Sequence, residues 1–167
     1  MGIFSFIKGA GEKIFGSEKK RAREEAERTA DSRAREAKED ARASRVLEET
    51  IQDLKLKVDN LRVEIKEDMA TISGMAADQA TREKVILVVG NTEGIEKVDD
   101  RMTVDKSEPE AQFHTVERGD TLSKIAKAHY GDANKYQVIF EANKPMLKDP
   151  DRIYPGQVLR VPRAEKK

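Results

Sequence analysis

The chain contains no cysteine and no tryptophan, and its five prolines all lie at or after position 109. The lack of cysteine excludes disulfide bonds and weakly favours a reducing compartment. Because no proline interrupts residues 1–108, long helices are permitted there. Hydrophobic residues make up 37% of the chain and charged residues 38%. This balance is too polar for one large core, so we expect small domains and a solvated segment.

Neither sign of charge dominates, because 32 basic side chains balance 32 acidic ones. An overall basic surface for nucleic acid is therefore absent. No stretch approaches the roughly 20 apolar residues that a membrane span requires. The apolar N-terminal run is broken by Lys8 and Glu12 and lacks the basic region and cleavage site of a signal peptide. These features predict a cytoplasmic protein that binds neither nucleic acid nor membrane.

The N-terminal part of the chain has two segments of helical character. Residues 1–16 carry apolar side chains at helical spacing, which predicts an amphipathic helix packed on a domain core. A membrane-surface anchor is the alternative, although the polar face lacks the basic character of such anchors. Residues 17–44 are rich in alanine and in charges of both signs, which predicts a solvated helical spacer. A coiled-coil helix is the alternative there, but the leucine or isoleucine heptads are missing.

Residues 45–105 alternate between helical and strand periodicity in the order α-β-β-α-β. An apolar helix precedes an alternating strand at 61–66, a turn at Glu67-Asp68 and a return strand. Asp78 offers a cap to a second helix that ends just before Gly90, and a third strand runs from Val98 to Val104. The order predicts one layer of helices on a three-stranded sheet. The segments V-x-I-x-x-x-M-A-T-I-S-G and G-N-T-E-G-I-E-K-V-D-D-R-M-T-V resemble a BON domain.

A polar linker at 106–112 leads to a second domain at 113–162, which a tail at 163–167 follows. The second domain contains V-x-x-GDTL-x-x-IA, then YG, then I-x-PGQ-x-L-x-VP, between a first and a closing strand. It resembles a LysM domain, which implies a βααβ fold and a binding module. The expected fold class is therefore α+β, with two small domains, BON-like αββαβ and LysM βααβ, preceded by a long charged helix.

Side chains capable of catalysis are sparse. His114 and His129 are the two histidines, and neither has a histidine or cysteine at metal-ligand spacing, so both are interpreted as surface or interface residues. Asp99 and Asp100 are adjacent on a strand and point to opposite faces, so they cannot share a site. Ser123 lacks a glycine elbow and a histidine base. We therefore predict that the protein is not an enzyme.

One candidate binding site is the end of the second BON helix. The last carbonyl groups of a helix lack amide partners and carry partial negative charge, and Gly90 and Gly94 allow the chain to turn. Carbonyl oxygens that face one point can replace the water around a large monovalent cation, whereas carboxylates favour a divalent ion. An ordinary glycine-capped helix is the alternative interpretation.

The opening MG-I-F-x-F-I-K-x-A-G-E-K, the loop GN-x-x-GI-x-x-VDD and the ending IFEANKPMLK-x-PD-x-IYPGQVLR are similar to those of a family of small bacterial cytoplasmic potassium-binding proteins. The resemblance implies K⁺ bound through main-chain oxygens, with a shape change on binding. The matching positions are Ile7, Ala10, Glu12, Gly90, Thr92 and Ile95. On this hypothesis the ion joins the N-terminal segment to the BON loop and helps the LysM domain dock. We expect a monomeric cytoplasmic potassium sensor or buffer.

The alternative function is binding of a peptidoglycan- or chitin-type glycan at the cell envelope, which the LysM resemblance implies. That family holds sugars in a groove between two loops. The matching positions are Gly119, Asp120, Thr121, Leu122, Asn143, Met146, Leu147, Asp149 and Ile153. Turn amides would bond the sugar while Leu122, Met146 and Ile153 would carry its apolar face; the competing role of the turn residues is only to form turns. Any protein partner is expected on the LysM surface or the charged helix.

Overall fold

A computed structural model describes residues 2–6 and 30–164, which form two α+β domains as the sequence predicts. The strands are β1 (Gly2–Ser5), β2 (Val58–Lys66), β3 (Met69–Ala76), β4 (Lys97–Asp100), β5 (Thr103–Val104), β6 (Gln112–Thr115) and β7 (Val158–Val161). The helices are α1 (Ala30–Asp53), α2 (Gln79–Gly90), α3 (Leu122–Tyr130) and α4 (Tyr136–Ala142), with a 3₁₀ turn at Ala133–Lys135. No helix in the described ranges is long and apolar enough to cross a membrane.

The first domain is a sheet in the order β1-β4-β3-β2, with the short β5 also pairing with β3. The β2–β3 hairpin is antiparallel, whereas β4 returns parallel to β3 after α2. Helix α2 is apolar over its C-terminal half, where it packs on the sheet, and the helix also faces β7 of the second domain. Its residues from Val85 to Gly90 are all buried. The helix therefore lies at the junction of the two domains.

The extreme N-terminus is a strand, so the helix predicted over residues 1–16 is wrong where the chain is described. β1 pairs antiparallel with β4, with Phe4 opposite Val98. Ile3 is 67% exposed, whereas Phe4 and Phe6 pack against the core of the first domain. The alternation in Ile-Phe-Ser-Phe is thus that of a strand with one buried face. Residues 1, 7–29 and 165–167 lie outside the described residues.

Helix α1 continues without a break from the charged segment into the apolar one, and it covers the exposed edge of β2. Its Leu47 and Ile51 are buried in the core. Three α1 side chains at four-residue spacing accept hydrogen bonds from alternate amides of β2 and of the residue just after it: Asp40 from Glu67 at 3.2 Å, Ser44 from Ile65 at 3.1 Å and Glu48 from Val63 at 2.8 Å. Four helical residues rise about 6 Å and two strand residues about 6.6 Å, so the two spacings match. Residues 40–44, assigned to the spacer by sequence, therefore contact the sheet.

The third strand predicted from Val98 to Val104 is two strands, β4 and β5, both parallel to β3. Asp100 lies at the break. Its carboxylate accepts from the Met102 amide at 2.9 Å and from the Arg82 guanidinium at 2.7 Å. At 1% exposure, this carboxylate is a buried structural anchor.

The second domain pairs β6 with β7 antiparallel and packs α3 and α4 around a small core. Thr121 begins α3, and its hydroxyl accepts from the Lys124 amide at 3.2 Å. Gly131 ends α3 in the left-handed conformation, with φ of 74°. This is the usual role of glycine after a helix. The βααβ order expected from the sequence is therefore present.

Candidate cation site and the domain interface

The N-terminal strand brings Phe6 onto the loop that follows α2. The Phe6 amide donates to the Glu96 carbonyl at 2.7 Å. The Phe6 ring lies on Gly90, in the space that a Cβ at this position would occupy. The residue immediately before Ile7 therefore contacts the loop that carries Gly90, Thr92 and Ile95.

Gly90 does not act as the flexible cap that the sequence suggests. It is the last residue of α2, and its φ is not positive. Asn91 is the C-cap, with φ of −81°, and the chain turns afterwards at Gly94, with φ of 88°. Gly94 thus supplies the left-handed conformation, whereas Gly90 is needed because Phe6 leaves no room for a side chain.

The loop gathers carbonyl groups at the C-terminal end of α2. The Thr92 amide donates to Val89 and its hydroxyl to Val88, at 3.1 and 2.9 Å. The Ile95 amide then donates to the Thr92 carbonyl at 3.2 Å and closes the turn. Within the described residues, the carbonyl oxygens of Gly90 and Ile95 receive no hydrogen bond. Both residues are buried, so these oxygens suit a cation that accepts neutral oxygen ligands.

Glu93 adds a carboxylate to the same loop, and the sequence analysis did not single it out. Its side chain is 1% exposed. A glutamate between threonine and glycine in a turn is normally solvated, so no local pattern marks it. A buried carboxylate favours a positive charge nearby. Across 2–6 and 30–164, no three or more His, Cys, Asp or Glu side chains gather into a metal-binding group.

Of the six predicted ligands, Gly90 is the last residue of α2, and Thr92 and Ile95 lie in the loop that follows it. Ile7, Ala10 and Glu12 lie outside the described residues. The position of Phe6 brings the chain to the loop one residue before Ile7.

Asn91, between two of the predicted ligands, connects the loop to the second domain. Its side-chain amide donates to the Val158 carbonyl and accepts from the Val158 amide, both at 2.9 Å. Asn143 does the same two residues further along β7, bonding the Arg160 amide and carbonyl at 2.8 Å each. Two asparagines therefore occupy the open edge of β7, one from each domain.

A buried ion pair and an aromatic contact complete the interface. Arg160 of β7 donates to Glu83 of α2 at 2.5 Å, and both side chains are largely buried. The other Glu83 oxygen accepts from the Ala111 amide at 2.9 Å. The rings of Phe4 and Phe113 lie 5.6 Å apart between centroids. The N-terminal strand therefore contacts the second domain as well as the loop.

The positions predicted for a glycan groove have varied surroundings. Leu122 and Leu147 are buried in the core of the second domain. The Asn143 side-chain amide donates to the Arg160 carbonyl of β7, and Met146 packs on the first domain. Gly119 and Thr121 are exposed; Asp149, Asp120 and Ile153 are half-buried. The apolar face assigned to the sugar is therefore divided, because Leu122 points inward and Met146 meets the first domain.

The two histidines are not isolated, contrary to the sequence interpretation. Nε2 of His129 lies 3.3 Å from Nδ1 of His114, and the rings meet edge to face at 5.4 Å. Nε2 of His114 lies 3.0 Å from Asp120. Strand β6 and the end of α3 bring them together, and a spacing of 15 residues gave no local signal for this.

Comparison with protein families gives two matches. A BON-domain model matches residues 38–106, and a LysM-domain model matches residues 114–162. The first match begins inside the segment that the sequence analysis assigned to a spacer, where Asp40 and Ser44 contact β2.

Comparison with individual proteins gives relatives whose matches cover very different shares of this chain. The chain is 41% identical over 162 residues to the Escherichia coli O6:H1 protein named Potassium binding protein Kbp, a match that covers 97% of this chain and 99% of that protein. An uncharacterized protein of Deinococcus radiodurans is 49% identical over 49 residues, 29% of this chain and 19% of that one. The Bacillus subtilis protein YqbP is 39% identical over 66 residues, 34% of this chain and 29% of that one.

Proposed function

Since this chain belongs to the family of the Escherichia coli potassium binding protein, with a BON domain followed by a LysM domain, we propose that it binds K⁺ as a cytoplasmic sensor or buffer. The proposed ligands are the backbone carbonyl groups of Ile7, Ala10, Glu12, Gly90, Thr92 and Ile95. The protein acts by binding, without catalysis.

The observation that carries this proposal is the contact of Phe6 with the loop. Its amide donates to the Glu96 carbonyl and its ring covers Gly90, so the residue that precedes the predicted ligand segment lies directly beside the loop. The segment that carries Gly90, Thr92 and Ile95 thus contacts Phe6, the residue that precedes the other three proposed ligands. A site with ligands from two distant segments needs such a junction.

The chemistry of the loop favours a monovalent ion. Neutral carbonyl oxygens can replace the hydration shell of K⁺, which binds its water weakly. Divalent ions are usually held by several carboxylates, and of the two glutamates in the loop, Glu93 and Glu96, only Glu93 is buried. That buried carboxylate contributes one negative charge, which lowers the free energy of a single positive ion in the loop. K⁺ satisfies this set better than a divalent ion.

Compaction follows from the place of Asn91 between Gly90 and Thr92. An ion that fixes these two carbonyls also fixes the side chain that bonds Val158. Glu83 and Phe4 add two further contacts to the second domain. Because the ion binds the ordered loop more tightly than a mobile one, it shifts the population toward the docked form.

Carbonyl ¹³C chemical shifts test the proposal residue by residue. Titration of the full chain with K⁺ is expected to move the carbonyl signals of Gly90, Thr92 and Ile95, with smaller changes from Na⁺ at equal ionic strength. The carbonyl of Gly119, exposed in the second domain, serves as the internal control. Shifts that are equal for K⁺ and Na⁺, or confined to side chains, would contradict it. Small-angle scattering on the same samples is expected to show a smaller radius of gyration with K⁺.

A further inference from the structure

Four polar side chains on the surface of the second domain form a row, each within hydrogen-bonding distance of the next. Asp120 lies 3.0 Å from Nε2 of His114, whose Nδ1 lies 3.3 Å from Nε2 of His129. Nδ1 of His129 lies 3.2 Å from Oε1 of Gln112. Gln112 and His114 lie two residues apart on β6, while His129 is near the end of α3. Strand β6, helix α3 and the segment between them, which carries Asp120, therefore contribute to one cluster.

Asp120 and Gln112, at the two ends of this cluster, determine which ring nitrogen of each histidine carries a proton. Asp120 accepts the Glu117 amide at 2.9 Å through Oδ2, the same oxygen that faces His114. The ionised carboxylate can only accept, so Nε2 of His114 donates to it. Oε1 of Gln112 is a carbonyl oxygen, so Nδ1 of His129 donates to it. In neutral rings, the two nitrogens that face each other both carry lone pairs.

Two lone pairs at 3.3 Å repel each other unless a cation lies between them. A proton is one such cation. A transition metal is the other. Two nitrogens bound to one zinc ion at about 2.05 Å with tetrahedral angles lie about 3.3 Å apart. The observed separation is the same.

The partners around the rings are those of metal-bound histidines. A ligating histidine usually donates its other ring N–H to a carboxylate or carbonyl oxygen, which fixes its tautomer and orientation. Asp120 and Gln112 occupy these two positions. Both rings are half-buried, so one side remains open to water ligands.

We propose that His114 and His129 form a binding site for a divalent transition-metal ion of the Zn²⁺, Ni²⁺ and Cu²⁺ class. Nδ1 of His114 and Nε2 of His129 are the ligands, and water completes the coordination. Asp120 and Gln112 are positioning residues. The site is independent of the proposed potassium site, which uses carbonyl oxygens of other segments.

Zinc binding to the full chain without an affinity tag tests the site cleanly, because the sequence has two histidines and no cysteine. With K⁺ held constant, calorimetry is expected to show one Zn²⁺ per chain. His114→Gln and His129→Gln are each expected to weaken binding at least tenfold. Asp120→Asn is expected to weaken it by a smaller factor. Asp132→Asn is its matched control, since Asp132 also accepts a backbone amide, that of Asn134, but contacts neither histidine.

Imidazole ¹⁵N spectra provide a readout that folding alone does not move. Zn²⁺ is expected to shift Nδ1 of His114 and Nε2 of His129 and to leave their N–H partners protonated. Single-histidine variants that bind Zn²⁺ as tightly as the unmodified chain would overturn the proposal. So would a spectrum in which a proton stays between the two rings at saturating zinc.

Discussion

The ring of Phe6 occupies the space beside Gly90 where a side chain would otherwise be. This contact joins the residue after β1 to the end of α2. The hydrogen bond from the Phe6 amide to the Glu96 carbonyl is a second contact between the same two segments. The N-terminus and the loop therefore meet through one ring, one glycine and one backbone hydrogen bond. Any ion that requires both segments depends on this junction.

Gly90→Ala is expected to reduce K⁺ affinity at least tenfold, because the added methyl displaces the Phe6 ring and with it the start of the N-terminal ligand segment. Overpacking of this kind typically costs about 1–3 kcal/mol of stability. Calorimetric titration with K⁺ gives the affinity, and thermal unfolding gives the stability.

The steric origin of this effect is checked with Phe6→Ala in a double-mutant cycle. Once the ring is gone, Gly90→Ala should have little further effect on affinity, because residues in contact are not additive. Fully additive losses would show that Gly90 acts in another way.

Several features were predictable because local pattern and fold agree. The β2–β3 hairpin, the Asp78 cap of α2 and the LysM turns each carry a short-range signal. The sequence Ile-Phe-Ser-Phe does not, since its apolar residues fit a strand or a helix, and only pairing with β4 selects the strand. Gly90 was assigned a conformational role because its steric partner, Phe6, lies 84 positions away in sequence.

Polar side chains that form hydrogen bonds with the open edge of a strand could not be recognised from the sequence either. Asn91 bonds Val158 across 67 positions, and Ser44 bonds Ile65 across 21. In sequence these residues read as a loop asparagine and a helix-surface serine. Their function depends on which strand edge lies opposite, and that is a tertiary property. The proposed potassium ligands were predicted through family resemblance, since carbonyl groups carry no residue-type signal.

Ser44→Ala is expected to destabilise the first domain by about 1–3 kcal/mol, because the Ile65 amide would remain buried without its acceptor. Thr50→Ala is the matched control. Its hydroxyl also donates to the carbonyl four residues back, that of Val46, but this hydrogen bond is exposed and involves no strand. Urea unfolding curves should separate the two variants. Equal losses would mean that the helix, and not the β2 edge, is what Ser44 stabilises.

Asn91→Ala is expected to release the second domain, because the Val158 amide and carbonyl lose their partner on the open edge of β7. The radius of gyration measured by small-angle scattering in K⁺ should increase. Asn134→Ala, an exposed asparagine in the second domain, is the control. A compact Asn91→Ala variant would show that the ion pair and the Phe4–Phe113 contact suffice for docking.

Glu83→Ala tests whether docking of the second domain changes the affinity for K⁺. Glu83 bonds Arg160 and lies two turns before the loop on α2, so its removal weakens docking without altering a proposed ligand. Breaking one partner of a buried pair costs about 3–5 kcal/mol. Because coupling between two sites is reciprocal, K⁺ affinity should fall as well. Unchanged affinity in an undocked variant would contradict the coupling between loop and LysM domain.

Asp78→Ala is expected to cost about 1 kcal/mol at neutral pH, since its carboxylate caps α2 by accepting the Thr81 amide at 2.7 Å. The hydrogen bond from the Thr81 amide lowers the pKa of Asp78 below the ordinary 3.8. A lowered pKa means that the stabilisation is present above pH 3.8 and is lost as the pH falls through the folded-state value. The difference in unfolding free energy between the unmodified chain and Asp78→Ala should therefore narrow in acid. Asp78→Asn, which keeps the acceptor without the charge, should retain most of the stability and lose this pH dependence. If Asp78→Asn kept the same acid profile as the unmodified chain, another carboxylate would be responsible.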